Sequence, residues 1–489
     1  MLASVQLSPV LPDASPLPAS SLAYSTELSA LTNIFALQRN AFAQQPMPSA
    51  LQRINWLQIL RKLLITHEKA LAAAISQDFG NRSVDETRLA ELMPSVLAIR
   101  HACAHLKKWM KPSRRSVSIA FQPARAQVVY QPLGVVGVIA PWNYPLLLTI
   151  GPLVGALSAG NRVMLKMSEC TPATGALLKK LLADNFPEDL IALVLGEAEV
   201  GRAFSRLPFD HLLFTGGAGV GKQVMHAAAE NLTPLTLELG GKSPAIVSGK
   251  ISMEEAARRI AFGKVLNSGQ TCIAPDYVLV PRTQQEAFVC AYQHAVANFY
   301  PEISSNPDYS SIINEHQFER LQNLLLDAKH KGAKIIQLFE AGDERRFPHA
   351  LLLDVDDSMR LMQEEIFGPL LPVVPYEQLD EAIAYINAKP KPLALYYFGY
   401  DAKGQQQVLR NTHSGGIGFN ECLLQIVQDD MPFGGVGSSG MGHYHGREGF
   451  LTFSKAKAVF SRGRFNTTRF IYPPYGRRLQ RLIYKLFIR

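Results

Sequence analysis

Three short runs carry residue types that can together make and break a bond to carbon. Cys272 lies in Asn267-Ser268-Gly269-Gln270-Thr271-Cys272, Glu238 in Leu237-Glu238-Leu239-Gly240-Gly241-Lys242, and Asn143 in Pro141-Trp142-Asn143-Tyr144-Pro145. A cysteine thiolate attacks an electrophilic carbon, a carboxylate takes up a proton, and a side-chain amide donates to an oxygen that turns negative. Each has an ordinary reading alone, and a single cysteine is most often a small buried hydrophobe. A nucleophile, a base and an oxyanion donor in one chain favour the catalytic reading.

Such groups need a rigid frame. From 127 to 230 short apolar β-branched runs alternate with helix-like segments, which predicts parallel strands joined by crossover helices in a doubly wound α/β region. Residues 135–140 read as a buried strand, 145–159 as a helix and 162–166 as the next strand. Thr171-Pro172 sets an N-cap residue before a proline at the first helical position and opens a helix to about Ala183. Two more strands are expected at 191–195 and 211–215, and Gly216 then turns the chain into a helix ending near Glu230.

The run Gly216-Gly217-Ala218-Gly219-Val220-Gly221-Lys222, after a strand and before a helix, suits phosphate binding. A P-loop needs Ser or Thr after its lysine, where Gln223 stands, and a GxGxxG fingerprint needs glycine where Lys222 stands. What survives is a glycine-lined helix start, with Gly216, Gly217 and Gly221 as a wall for a dinucleotide. Lys166-Met167-Ser168-Glu169 falls at the carboxyl end of a predicted strand, where open α/β sheets bind ligands. Glu169 can accept from a ribose diol and Lys166 can donate to it; a solvated surface pair is the plainer alternative. Glu169 would repel a 2′-phosphate, which leans the cofactor toward NAD while leaving NADP possible.

With these runs in order, the chain resembles the aldehyde dehydrogenases over roughly residues 30 to 465. Phe214-Thr215-Gly216-Gly217, Glu364-Glu365-Ile366-Phe367-Gly368-Pro369 and Pro432-Phe433-Gly434-Gly435-Val436-Gly437 extend the likeness. Cys272-Ile273-Ala274-Pro275-Asp276-Tyr277 and Ser438-Ser439-Gly440-Met441-Gly442-His443-Tyr444-His445-Gly446 resemble the class 3 branch of fatty and aromatic aldehyde dehydrogenases. The tail Tyr472-Pro473-Pro474-Tyr475-Gly476 is most similar to the bacterial coniferyl members of that branch. Two positions depart from the family pattern: Met167 replaces a usual proline and Gly217 a usual polar residue, which points to altered cofactor affinity with activity retained.

The resemblance implies a thioester route: Cys272 attacks the aldehyde, Asn143 and the Cys272 amide hold the oxyanion, hydride leaves to NAD, and Glu238 activates the hydrolytic water. It places Glu365 on the nicotinamide ribose, Phe367 and Trp142 beside the cofactor, and Lys166 on the adenosine ribose. Tyr144, Ile426, Phe433, Tyr444 and His445 match or adjoin positions lining the aldehyde tunnel, although each would also suit a core. An aromatic aldehyde such as coniferaldehyde is favoured, with medium or long aliphatic aldehydes as the alternative. A coenzyme A-acylating enzyme is disfavoured by Glu238, and a non-catalytic relative by the intact trio.

The implied fold is α/β, aldehyde dehydrogenase-like: a doubly wound dinucleotide-binding domain at 25–240, an α/β catalytic domain at 241–454, and a small oligomerisation arm. The arm has pieces at 113–130, where Ser116-Val117-Ser118-Ile119 alternates as a strand should, and at 455–470. In this family such an arm pairs across subunits, so a homodimer is expected.

Composition adds boundaries. The chain has 489 residues, 47% hydrophobic and 18% charged, enough for two or three globular domains. Five cysteines (103, 170, 272, 290, 422) show no metal-ligand spacing, so no metal is expected, and they fit a reducing cytoplasm. Residues 1–24 lack the charged start of a secretory signal and read as a loose tail. The net charge of +8 argues against nucleic acid, because eight cations without an acid crowd residues 461–489 and leave the rest neutral. That basic tail (471–489) mixes cations with apolar residues and could touch an anionic membrane surface; packing on protein is the favoured reading.

Overall fold

The computed structural model describes residues 19–301, 305–339, 345–464 and 471–488. Two mostly parallel sheets and a small antiparallel one organise it. The first sheet runs in the order Gly440–Met441, Leu235–Leu239, His211–Gly216, Val135–Ile139, Arg162–Lys166, Ile191–Val194. All neighbours are parallel except the first pair, where Gly440 sits opposite Glu238. These strands are short and largely apolar, and Val135, Val136, Val138, Val163 and Leu165 have no exposed surface, as a sheet covered on both faces requires. Chain order reverses between Val135–Ile139 and His211–Gly216, which opens a crevice at their carboxyl ends.

The second sheet, in the order Lys334–Gln337, Ala350–Leu353, Leu370–Tyr376, Tyr277–Pro281, Pro244–Val247, Ala394–Phe398, Gly416–Phe419, is parallel apart from its first pair. Its strands follow the five parallel strands of the first sheet in the chain, and the step from Leu235–Leu239 to Pro244–Val247 puts Glu238 just before the chain passes from one sheet to the other. The third sheet has the order Ser113–Arg115, Arg125–Pro132, Ser454–Ser461, and the last two pair through all eight residues of each.

The structure corrects three local expectations. No strand forms at 116–119: the chain leaves Ser113–Arg115 and makes a 3-10 turn at Ile119–Phe121, and the long arm strand lies at Arg125–Pro132. Four alternating residues had no partner strand, whereas Arg125–Pro132 is sandwiched between two. The tail expected loose through 24 is helical from Ala19, in Ala19–Gln44; residues 1–18 lie outside the described part. Thr171 precedes the helix Pro172–Asn185 but does not cap it with its side chain, which bonds the Ser168 carbonyl. The free amides are taken by Asp78 instead, whose carboxylate accepts from Ala173 and Thr174, each at 2.8 Å.

In the second arm piece, residues 465–470 lie outside the described part, and the basic tail contains the helix Arg478–Phe487. Among the described residues no helix is long and apolar enough to cross a membrane.

Candidate active site

The loop before Cys272 is built from conformations that most residues avoid. Asn267, Ser268 and Gly269 have φ of 50°, 51° and 75° in succession, a left-handed run that costs free energy and persists only where surroundings impose it. They do so here. Asn267 Nδ2 donates to the Asn143 carbonyl at 3.0 Å and the Gln270 carbonyl at 3.2 Å. Ser268 Oγ donates to the Ser310 carbonyl. Gln270 Nε2 donates to the Asn267 and Ser311 carbonyls, and its Oε1 accepts from the Ile313 amide, all at 3.0 Å. A Cβ at Gly269 would run into the carbonyl of Gly368, so this tight approach needs glycine.

Asn143 is buried, and its Nδ2 donates to the Gln270 carbonyl at 3.1 Å, which ties it to the loop and uses one of its two hydrogens. Behind it lies a fully buried charge group. Arg82 bonds Glu91 at 2.8 Å, Glu86 at 3.2 Å and the Asn143 carbonyl at 3.2 Å. The second oxygen of Glu91 accepts from the Leu146 and Leu147 amides at the start of the helix Leu147–Ala159, and Glu86 accepts from the Asn267 amide. One cation and two carboxylates thus link the Asn143 turn, the next helix and the Cys272 loop.

A cavity of about 240 Å³ is lined by Cys272, Glu238 and Asn143 together with Trp142, Leu148, Glu365, Phe367, Phe433 and Tyr444. Cys272 is partly accessible within it. Its thiol is pushed up to about 12, first by burial and then by the carboxylates of Glu365 and Glu238; its own amide and that of Ile273 act the other way. The sulfur is therefore protonated at neutral pH and needs a base before it attacks. Burial also holds the Glu238 carboxyl well above the usual carboxylate range, and neither of its oxygens has a hydrogen-bond partner.

Glu365 is pushed up to about 8 by burial and by Asp276, against the pull of the Gly241 amide, Lys242 and Arg320. Its carboxylate occupies the space a Cβ on Gly240 would need. The turn carrying it is pinned from two sides: Arg320 donates to the carbonyls of Glu365 and Ile366, and Asp276, ion-paired with Lys242, accepts from the Ile366 amide at 2.9 Å. Phe367, at φ 50°, meets Trp142 edge-on with ring centroids 5.3 Å apart.

A larger cavity of about 850 Å³ follows the crevice of the first sheet and is lined by Trp142, Lys166, Met167, Glu169, Gly216, Gly217 and Val220. It shares Pro141, Trp142, Thr215, Gly216, Gly217 and Gln317 with the Cys272 cavity, so the two adjoin. Lys166 Nζ is buried, donates to the Met167 carbonyl at 2.7 Å and stands 3.8 Å from Glu169. A Cβ on Gly217 would meet nothing within 4 Å, leaving open space at the helix start. Four expected site residues, Gly221, Tyr144, Ile426 and His445, fall outside both walls. Gly221 packs its helix onto Leu239 and Phe214, and Tyr144 is buried with its hydroxyl on Thr271 at 2.7 Å and its ring under Arg82. Ile426 and His445 line a third, smaller cavity beyond Tyr444. Sequence reasoning missed Arg82, Glu86, Glu91 and Arg320; single charged residues far along the chain from the motifs they hold carry no local signal.

The chain matches the model of the aldehyde dehydrogenase family over residues 23–459. It is 65% identical over 463 residues to the probable coniferyl aldehyde dehydrogenase of Pseudomonas aeruginosa, covering 95% of this chain and 97% of that one. The fold is similar to Staphylococcus aureus AldH in a substrate-bound state, with TM-score 0.89, 36% identity and coverage of 94% and 99% of the two chains. It is also similar to a Mycobacterium tuberculosis aldehyde dehydrogenase complexed with NAD+, with TM-score 0.82, 28% identity and coverage of 90% and 91%.

Proposed function

The chain belongs to the aldehyde dehydrogenase family, and on that footing we propose that it oxidises an aldehyde to its carboxylic acid through a thioester on Cys272, with NAD as the hydride acceptor and NADP as a possible substitute. The observation that carries this reading is the convergence of Cys272, Glu238 and Asn143 on one cavity that adjoins a second of dinucleotide size. The cofactor fits what the larger cavity offers: a lysine and a carboxylate for ribose hydroxyls and an open glycine-lined helix start for the pyrophosphate. Trp142 lines both cavities and Glu365 and Phe367 line the Cys272 side, and the three would hold the nicotinamide end.

The bound nicotinamide supplies the site that accepts hydride. The protein's own groups do the rest. Cys272 loses its proton to water, and its sulfur bonds the aldehyde carbon. The Asn143 hydrogen left free by Gln270 and the Cys272 amide stabilise the resulting oxyanion. Hydride departure leaves an acyl group on sulfur. Glu238 then takes a proton from water as it attacks the acyl carbon, and the acid and the Cys272 sulfur separate. Water as acceptor, in place of coenzyme A, is supported by the unpartnered carboxylate of Glu238.

For the substrate we favour an aromatic aldehyde such as coniferaldehyde, supported by the name of the 65% identical relative and by the aromatic Phe433 and Tyr444 of the cavity wall. Medium or long aliphatic aldehydes are the second reading, which the apolar Leu148 side favours. We assign the arm, with Ser454–Ser461 as an edge strand, to a homodimer contact that sedimentation would test, and the five free thiols to a reducing cytoplasm. Reduced-nicotinamide absorbance with coniferaldehyde, benzaldehyde, hexanal and decanal tests the activity and ranks the classes. NADH should form with wild type and not with Cys272→Ala; no NADH from any aldehyde with either cofactor would remove the reading.

A further inference from the structure

The basic tail carries a surface that the site around Cys272 does not use. Its helix, Arg478–Phe487, sets Leu479, Leu482, Ile483 and Leu486 at the i, i+3, i+4 and i+7 spacing that gathers one apolar face. Arg478, Arg481 and Lys485 recur at i, i+3 and i+7 and share the opposite face. Packing on protein is what the sequence favours for such a face, yet the chain itself leaves most of it bare. Leu482 is 63% exposed and Leu486 70%, and Leu479 and Phe487 are exposed beside them. Within the helix only Gln480 is buried and only Ile483 half-buried. Tyr472, Tyr475 and Tyr484 add exposed aromatic rings along the same segment.

The charge on the helix points to what covers that face. Arg477, Arg478, Arg481 and Lys485 make no ion pair among the described residues, and residues 461–489 hold eight Arg or Lys and no acid. Arg477, Arg478 and Arg481 stand at the amino end of the helix, where the backbone dipole favours acids. There they weaken the helix and repel one another, so helix stability does not account for them. A helix seated on a second copy of the chain would use the apolar face alone, and mixed signs would serve its outer face better. A polar face of one sign gains from an extended layer of negative charge, and the leucines gain if that layer has apolar matter beneath it. Tyrosines, apolar in body and polar at the tip, suit the level between the two. We propose that the helix Arg478–Phe487 lies on an anionic lipid surface, with its leucines among the acyl chains and its cations at the headgroup phosphates. Its 10 residues are too few to cross a bilayer, so the contact is peripheral and reversible. It is separate from the chemistry at Cys272 and stands or falls independently of the dehydrogenase reading.

The test is co-sedimentation of the full chain with vesicles of phosphatidylglycerol and phosphatidylcholine, compared with vesicles of phosphatidylcholine alone. Wild type should bind the anionic vesicles at least about tenfold more strongly, and salt at about 0.5 M should release it. Two variants separate the faces: Arg478→Gln/Arg481→Gln/Lys485→Gln removes charge, and Leu482→Ser/Leu486→Ser removes apolar contact. Each should cut binding to the anionic vesicles by about tenfold or more. Both should keep the wild-type melting temperature, because all five side chains are exposed. Equal binding to the two kinds of vesicle, binding to neither, or variants that bind as wild type does would overturn the lipid surface. A smaller sedimentation coefficient for the leucine variant without vesicles would also overturn it and assign the face to a second copy of the chain.

Discussion

The scaffold that holds Asn143 and the Cys272 loop differs sharply from the two carboxylates that face it. In the scaffold Asn143, Asn267, Gln270 and Arg82 are cross-bonded across long stretches of chain. Glu238 has no bonding partner for either oxygen, and Glu365 has none for one. The first arrangement fixes atoms in place; the second leaves charge uncommitted. A preorganised oxyanion site needs its donors immobile before reaction, whereas a base that must take a proton from water gains from a carboxylate that the protein does not already hold.

From that contrast, damage to the scaffold should be severe and damage to the carboxylates selective. Arg82→Met would strand two buried acids, and loss of about 3–5 kcal/mol is expected, seen as a large drop in the urea midpoint. Asn143→Ala removes a donor whose loss should lower kcat by roughly 10²- to 10³-fold with the fold intact; an unchanged kcat would take Asn143 out of the oxyanion site. Arg320→Ala frees the Glu365 turn without touching Cys272, so KM for NAD should rise about tenfold while kcat changes less. A fall in kcat alone would place Arg320 in the chemistry instead.

The smallest effect has the opposite sign. Because burial raises the Glu238 pKa in the folded chain, the folded state holds a proton that the unfolded state has lost, and stability falls as pH rises from the ordinary carboxylate range toward the raised value. Glu238→Gln removes that dependence. Its melting temperature should exceed that of wild type at pH 8 and approach it near pH 4; a variant less stable at pH 8 would mean that Glu238 is bonded in solution.

Much of this was legible along the chain. Residues 162–166 read as a strand and form one, because a short run with the apolar centre Val163-Met164-Leu165, buried on both faces, has few alternatives. The Cys272, Glu238 and Asn143 motifs stood out because each carries its chemistry within a few residues. What did not show was whatever depends on distant partners. Ser116-Val117-Ser118-Ile119 has the right alternation, but pairing along eight residues with Ser454–Ser461 selects Arg125–Pro132. Thr171 has the capping side chain, yet Asp78, almost a hundred residues earlier, does the capping. Arg82 lies 61 residues before Asn143, and no periodicity or motif links them.

The division of labour between fixed donors and a free base is tested most directly by single-turnover kinetics of Glu238→Gln with coniferaldehyde and NAD, followed by intact-mass analysis. The account predicts a burst approaching one NADH per active site, then slow turnover, with the acyl group retained on Cys272. A full steady-state rate without acyl-enzyme would contradict it.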